Sequence, residues 1–302
     1  MAQSSATQEA NQFAPQAALR AVLATDISSF VEYTFGVLRP GIPFHRNWHI
    51  DAMAYKLSQV ATGEIKRLII TIPPRNLKSI CASVALPAWF LGHHPSERVV
   101  AVSYSADLAK VHANDFRRVV NDPLYQEIFP KMRVQRNTDQ EITTTARGKR
   151  YATSIEGTLT GLGGNLFIID DPIKLGDAFS EVVRTRGIEW YRSTLVTRPD
   201  DKTAARIVVV MQRVHQQDLV GYLRNRADLK SSTCPRLHKG LTAIKPARTR
   251  IIGVRQERDC TRSTSRLLFC WTSKEIWDRY RFLLSTSRRP FHWAGRSLKA
   301  NG

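Results

Sequence analysis

The stretch RLIITIPPRNLKS, residues 67–79, decides how the chain is read. From Arg67 it opens as a short apolar, β-favouring run that Pro73 and Pro74 stop, which predicts a buried strand entering a loop. It ends in Lys78-Ser79, and an apolar, mostly helical stretch resumes over 79–91. A turn between a buried strand and a helix can aim backbone N–H groups at an anion, with a lysine to reach its outer oxygens and a hydroxyl for a divalent cation. Pro74, Arg75, Asn76, Leu77, Lys78 and Ser79 would form that cradle. The strict pattern GxxxxGKS fails, because Ile72 and Leu77 occupy both glycine positions. A helix that merely opens with Lys-Ser after a Pro-Pro stop looks the same from this segment alone.

Three further apolar runs surround it. RVVAVSYS, residues 98–105, reads as a strand, followed by a helix with Leu108, Val111, Phe116, Val119 and Val120 on one face and Ser105 as its N-cap. Leu166 to Ile169 reads as another, entered through the glycine-rich GTLTGLGGN (157–165) and left through Asp170-Asp171-Pro172. Ile207 to Met211 is the last, with a polar helix from about Gln216. Runs of Val and Ile without polar alternation predict strands covered on both faces, and alternation with helices predicts parallel pairing. The expected architecture is α/β, a three-layer sandwich with a mainly parallel sheet.

Two carboxylates at the carboxyl end of a buried strand stand where ligands gather in open α/β sheets. Asp170 would hold Mg2+, directly or through water, opposite Ser79, and Asp171 would polarise an attacking water. Two acids capping the next helix or turn are the plain alternative. Gln212 and Arg213 follow the last strand and would emerge on the same sheet edge, where an amide can sense a γ-phosphate. Arg75, inside the turn, would offset charge developing on a transferred phosphoryl group, or else face solvent or pair with a neighbouring acid. Trp48, in FHRNWH (44–49), would lie against the adenine of ATP or else belong to the core. The 157–165 glycines fit a mobile element near DNA and ordinary turn chemistry equally well.

Composition bounds the rest. At 302 residues, 42% apolar and 24% charged, the chain is an ordinary globular one of one to two domains. The N-terminal MAQSSATQEANQF lacks a basic patch followed by an apolar run, so neither a signal peptide nor a membrane span is expected. Cys81, Cys234, Cys260 and Cys270 show no zinc or disulfide spacing, which fits a reducing cytoplasm. The net charge of +19 favours a polyanionic partner such as DNA. Residues 227–302 hold 17 Lys+Arg and 5 Asp+Glu, a net of +12, against 28 and 21 in residues 1–226. The composition therefore breaks near Arg226. It sets off 227–302 as a basic tail without a sustained helical or strand period, behind a polar, helical lead-in over 1–40 and the strand-and-helix domain over 41–226.

Together, FHRNWH, PPRNLKS, SYS, LFIIDDPIK, WYRSTLVTR (190–198) and MQRVHQQDL (211–219) resemble the large terminase subunit of tailed phages and prophages, over roughly residues 40–226. The resemblance implies an additional-strand P-loop ATPase in the cytoplasm of a bacterial host. It would use ATP and Mg2+ to thread double-stranded DNA into a procapsid, as a homo-oligomeric ring on a portal protein beside a small terminase subunit. The family's arginine ahead of the Lys-Ser pair is matched by Arg75, Lys78 and Ser79, and its acidic strand end by Asp170. Many members place a glutamate next, where this chain has Asp171. The family continues into a nuclease with clustered metal-binding carboxylates, whereas the tail offers only Asp228, Glu257, Asp259, Glu275 and Asp278. No nuclease activity is expected, and a shift of reading frame after Asn225 would account for the change in composition. A non-hydrolysing basic DNA-binding protein and a helicase-like translocase are the competing readings.

Overall fold

The computed structural model describes residues 16–159 and 161–225, with short strands at 232–233, 244–245 and 249–253. Helices α1 (Gln16–Thr25), α2 (Ile27–Leu38) and α3 (Trp48–Ala61) lead into β1 (Arg67–Thr71). Asp26 divides α1 from α2, its carboxylate accepting from the Ser28 and Ser29 amides at 3.3 and 2.9 Å. A π-helical turn (Ile80–Ala85) and α4 (Leu86–His93) follow β1, then β2 (Arg98–Ser103), α5 (Ala106–Val120) and α6 (Pro123–Ile128). Three strands come next, β3 (Val134–Asn137), β4 (Glu141–Thr144) and β5 (Lys149–Ser154), then β6 (Leu166–Asp170) and α7 (Glu181–Ser193). The chain continues through β7 (Arg206–Met211), α8 (Leu219–Arg224), β8 (Ser232–Thr233), β9 (Ile244–Lys245) and β10 (Thr249–Gly253).

The strands form one sheet in the order β3-β4-β5-β2-β6-β7-β1-β10-β9-β8. From β5 across to β10 every pair is parallel, and the hairpins at both ends are antiparallel. Alternate residues of the central strands feed two cores, as a sheet covered on both faces requires. Leu68, Ile70, Leu166, Ile168, Val208 and Val210 face a core shared with α2, α3, α4 and α5. Ile69, Val102, Phe167, Ile169, Val209 and Met211 face a second core that holds Trp190, Tyr191 and Leu223. The expected three-layer α/β sandwich is the observed one.

Several details differ from the sequence reading. The 1–40 segment is more than a lead-in, since Leu23, Ile27, Phe30, Val31 and Leu38 are buried in the first core. The apolar stretch after Ser79 begins as a π-helical turn, in which Leu86 N–H donates to the Cys81 carbonyl. Pro87 supplies the reason: it has no N–H to offer the Ser83 carbonyl, and a proline inside a helix displaces the regular ladder. On α5, Ser105 caps as expected, accepting from Leu108 N at 3.2 Å. Val111, however, is 52% exposed, and His112 takes the buried place beside Ala109, Ala113 and Phe116.

In the glycine-rich loop a Cβ on Gly163 would collide with the Asp200 carboxylate, and Gly161 has φ +77°. Cys81 is a buried free thiol, pushed up by burial to about 12. Within 227–302, expected without regular structure, β10 runs parallel to β1 in the register Arg67↔Thr249 to Thr71↔Gly253. The carboxylates weighed for a nuclease centre, Asp228, Glu257, Asp259, Glu275 and Asp278, lie outside the described residues, as do the other three cysteines. Among the described residues, no single helix is long and apolar enough to cross a membrane.

Candidate nucleotide site

β1 and β6 deliver the turn and the acidic pair to one edge of the sheet, with β7 between them. At that edge Lys78 Nζ forms an ion pair with Asp171 and lies 3.8 Å from Asp170 Oδ1. Lys78 is buried and Asp170 is 1% exposed, while the Asp171 side chain is 24% exposed and keeps the cluster open on one side. The two acids cap neither of the helical segments that follow: the short 3-10 turn Leu175–Asp177 has Lys174 at its N-cap, and α7 has Ser180.

The two oxygens of Asp170 differ. Ser83 Oγ donates to Oδ2 at 2.7 Å, and His112 Nδ1 lies 3.8 Å from the same oxygen and 3.5 Å from Ser103 Oγ. Oδ1 is buried without a hydrogen-bond partner. A buried, unpaired carboxylate oxygen is costly unless something binds it. Hard oxygen donors from Asp170 and Ser79 are the type that Mg2+ takes, so the residues present fit that ion.

Asp171 lies one residue past the strand. Its N–H donates to the Val210 carbonyl at 2.8 Å, and its Oδ1 accepts from Gln212 N at 3.4 Å. Burial raises its pKa above the ordinary carboxylate value; Lys78 opposes that rise and Asp170 adds to it. Burial likewise lowers the His112 imidazole, against the pull of Asp170.

Backbone strain collects at the same place. Four non-glycine residues have positive φ among the described residues, and three belong here: Arg75 at 64°, Leu77 at 57° and Asp171 at 46°. Such conformations persist only where the surroundings impose them, and they concentrate at ligand clamps. Leu77 stands where the phosphate-loop pattern has glycine, and it adopts the left-handed backbone that glycine would adopt.

The remaining predicted residues divide. Asn76 braces the turn, its Nδ2 donating to the Pro73 and Pro74 carbonyls at 3.1 Å each. Ser79 sits at the start of the π-helical turn with its hydroxyl free of a capping bond, while Pro74 and Arg75 are exposed. Gln212 reaches the cluster through its backbone N–H. Arg213 is used elsewhere: it pairs with Asp218 at 2.8 Å and donates to the His215 and Gln216 carbonyls. Trp48 opens α3 at 54% exposure, edge-on to His49, so it is not a core residue. Ser83 and His112 were missed by the sequence reading; the available signal was a polar residue inside an apolar helical stretch and a histidine on the buried stripe of α5.

β7 thus lies between the strand that enters the Lys78 turn and the strand that carries the acidic pair. Among solved structures, the chain is similar to the HK97 bacteriophage large terminase, at 19% identity and a TM-score of 0.43, over 66% of this chain and 40% of that one. It is also similar to the ATPase domain of the Thermus phage P74-26 large terminase (15%, TM-score 0.38, covering 61% and 70%). A third is the large terminase of a thermophilic bacteriophage in complex with ADP (13%, TM-score 0.33, covering 52% and 38%). The chain thus spans about 40% of the HK97 protein it matches. No family model matches the chain, and no curated protein matches it.

Proposed function

We propose that this chain is the ATP-hydrolysing part of a large terminase subunit, a motor that moves double-stranded DNA. The observation that carries the reading is the meeting of Lys78 with Asp170 and Asp171 from strands separated by β7. In this reading the turn 74–79 binds the phosphates, with Lys78 on their outer oxygens. Ser79 and Asp170 hold Mg2+, which when bound neutralises charge on the phosphate oxygens. Asp171 accepts a proton from the attacking water, a task suited to a carboxylate with a raised pKa. Arg75 stabilises charge on the transferred group, Gln212 reports its departure, and Trp48 offers an open aromatic face to the adenine.

Lys78 and Asp171 form an ion pair at the sheet edge. Phosphates entering the turn would draw the ammonium away and leave Asp171 free to act as base. DNA, a portal, a small subunit and a ring of copies belong to the proposal through the family resemblance, and the charge of 227–302 supports a polyanionic partner.

The test is ATP turnover by the purified chain with and without double-stranded DNA, beside Lys78→Ala. Turnover that DNA stimulates and Lys78→Ala abolishes is the expected result. Equal, slow turnover by both proteins would overturn the motor reading and leave a basic DNA-binding protein. DNA-dependent turnover accompanied by strand separation would point instead to a helicase-like translocase.

A further inference from the structure

We propose that Ser83 is a positioning residue for the metal carboxylate, tying the helix that carries Ser79 to the strand that carries Asp170; this rests on the nucleotide-site reading above. Ser83 is 1% exposed, and its Oγ donates to Asp170 Oδ2 at 2.7 Å. The other oxygen, Oδ1, is buried with no hydrogen-bond partner and lies 3.8 Å from the Lys78 ammonium. The carboxylate is therefore held by one oxygen and left open at the other. Held in this way, it presents a lone pair in a fixed direction, as the outer-shell partners of metal ligands do.

The segment carrying Ser83 is itself fixed from a third direction. Pro87 cannot donate the N–H that a regular helix would offer the Ser83 carbonyl. Arg150, on β5, supplies one instead: its Nη2 donates to the Ser83 carbonyl at 3.3 Å. The Arg150 side chain is 1% exposed and packs 4.9 Å over the Phe116 ring. Backbone and hydroxyl of Ser83 are thus each engaged, one by β5 and the other by β6. Ser79 and Ser83 share one short helical segment, so this arrangement sets the position of one metal donor relative to the other.

The experiment is a Mn2+ titration of the full chain saturated with ADP, with free Mn2+ read by electron paramagnetic resonance. A parallel measurement takes ADP affinity in excess chelator. Ser83→Ala removes the hydroxyl without adding bulk. Ser83→Thr and Ser83→Val are equal in shape and differ in keeping or losing the hydroxyl. Ser83→Ala and Ser83→Val are expected to weaken Mn2+ binding by about 10–100-fold, with Ser83→Thr near wild type. Metal-free ADP affinity should stay unchanged in all three.

Wild-type Mn2+ affinity in Ser83→Ala overturns the inference while leaving the nucleotide site standing. Equal losses of metal-free and metal-dependent binding overturn it as well, because they mark a general structural role. Failure of the wild-type chain to bind ADP or Mn2+ overturns the functional reading, and the inference with it.

Discussion

Leu77 allows the geometry of the 74–79 turn to be tested through stability alone. Its φ of 57° places a bulky L-residue in the left-handed region, which costs roughly 1–2 kcal/mol relative to the right-handed one. Its side chain is partly buried against the first core, so truncation to alanine forfeits on the order of 1 kcal/mol of apolar burial. Leu77→Ala keeps the backbone strain and should be destabilised by about that amount. Leu77→Gly loses the same side chain but relieves the strain, against an unfolded-chain entropy penalty of about 0.4–1 kcal/mol relative to alanine. Strain relief outweighs that penalty, so glycine should be the more stable of the two by about 0.5–1 kcal/mol and close to wild type. In a domain of this size that is a melting difference of about 1–4 °C, measurable by calorimetry or by urea denaturation. At an ordinary helical or extended position alanine would be the more stable. Leu77→Ala matching or exceeding Leu77→Gly would therefore refute the left-handed turn.

Two other perturbations address the site and its support. Asp171→Asn should lower ATP turnover by about 10²–10⁴-fold with nucleotide binding retained. Because burial raises the Asp171 pKa, wild-type turnover should fall with decreasing pH at values above the ordinary carboxylate pKa of about 3.9, and that acid limb should vanish in the asparagine variant; a pH–rate profile reads both. Gly92→Ala would put a Cβ 2.5 Å from Phe129 Cγ, near the inner end of a ring packed on Phe30 and Tyr125. Overpacking there should cost about 1–3 kcal/mol in urea denaturation, and an unchanged midpoint would contradict the packing described.

Most of the central sheet was legible because its strands are uninterrupted Val and Ile runs, and a run covered on both faces needs no polar alternation to be recognised. β3, β4 and β5 escaped notice: the first two are only four residues long, the VQRN of β3 is mostly polar and exposed, and the KRYATS of β5 has no apolar run. Lys78, Asp170 and Asp171 could be placed together because Asp170 ends β6, Asp171 follows it, and Lys78 closes the turn that leaves β1, so the sheet itself carries them to one edge. Ser83, His112 and Arg150 could not. Each lies inside an element whose neighbours are apolar or charged, and only the third dimension shows that Ser83 and His112 turn toward Asp170 while Arg150 holds Ser83. Val111 was misplaced for a related reason: an apolar side chain one step off the stripe of α5 reads as core, and the histidine beside it does not.

The central claim is that a lysine and an aspartate from strands flanking β7 act on one Mg2+-bound nucleotide. A crystal structure of the chain with Mg2+ and a non-hydrolysable ATP analogue tests it most directly. The account predicts Lys78 Nζ on the terminal phosphates, released from Asp171, with Asp170 facing the metal. A nucleotide bound elsewhere on the protein, with the Lys78–Asp171 ion pair intact, would contradict it.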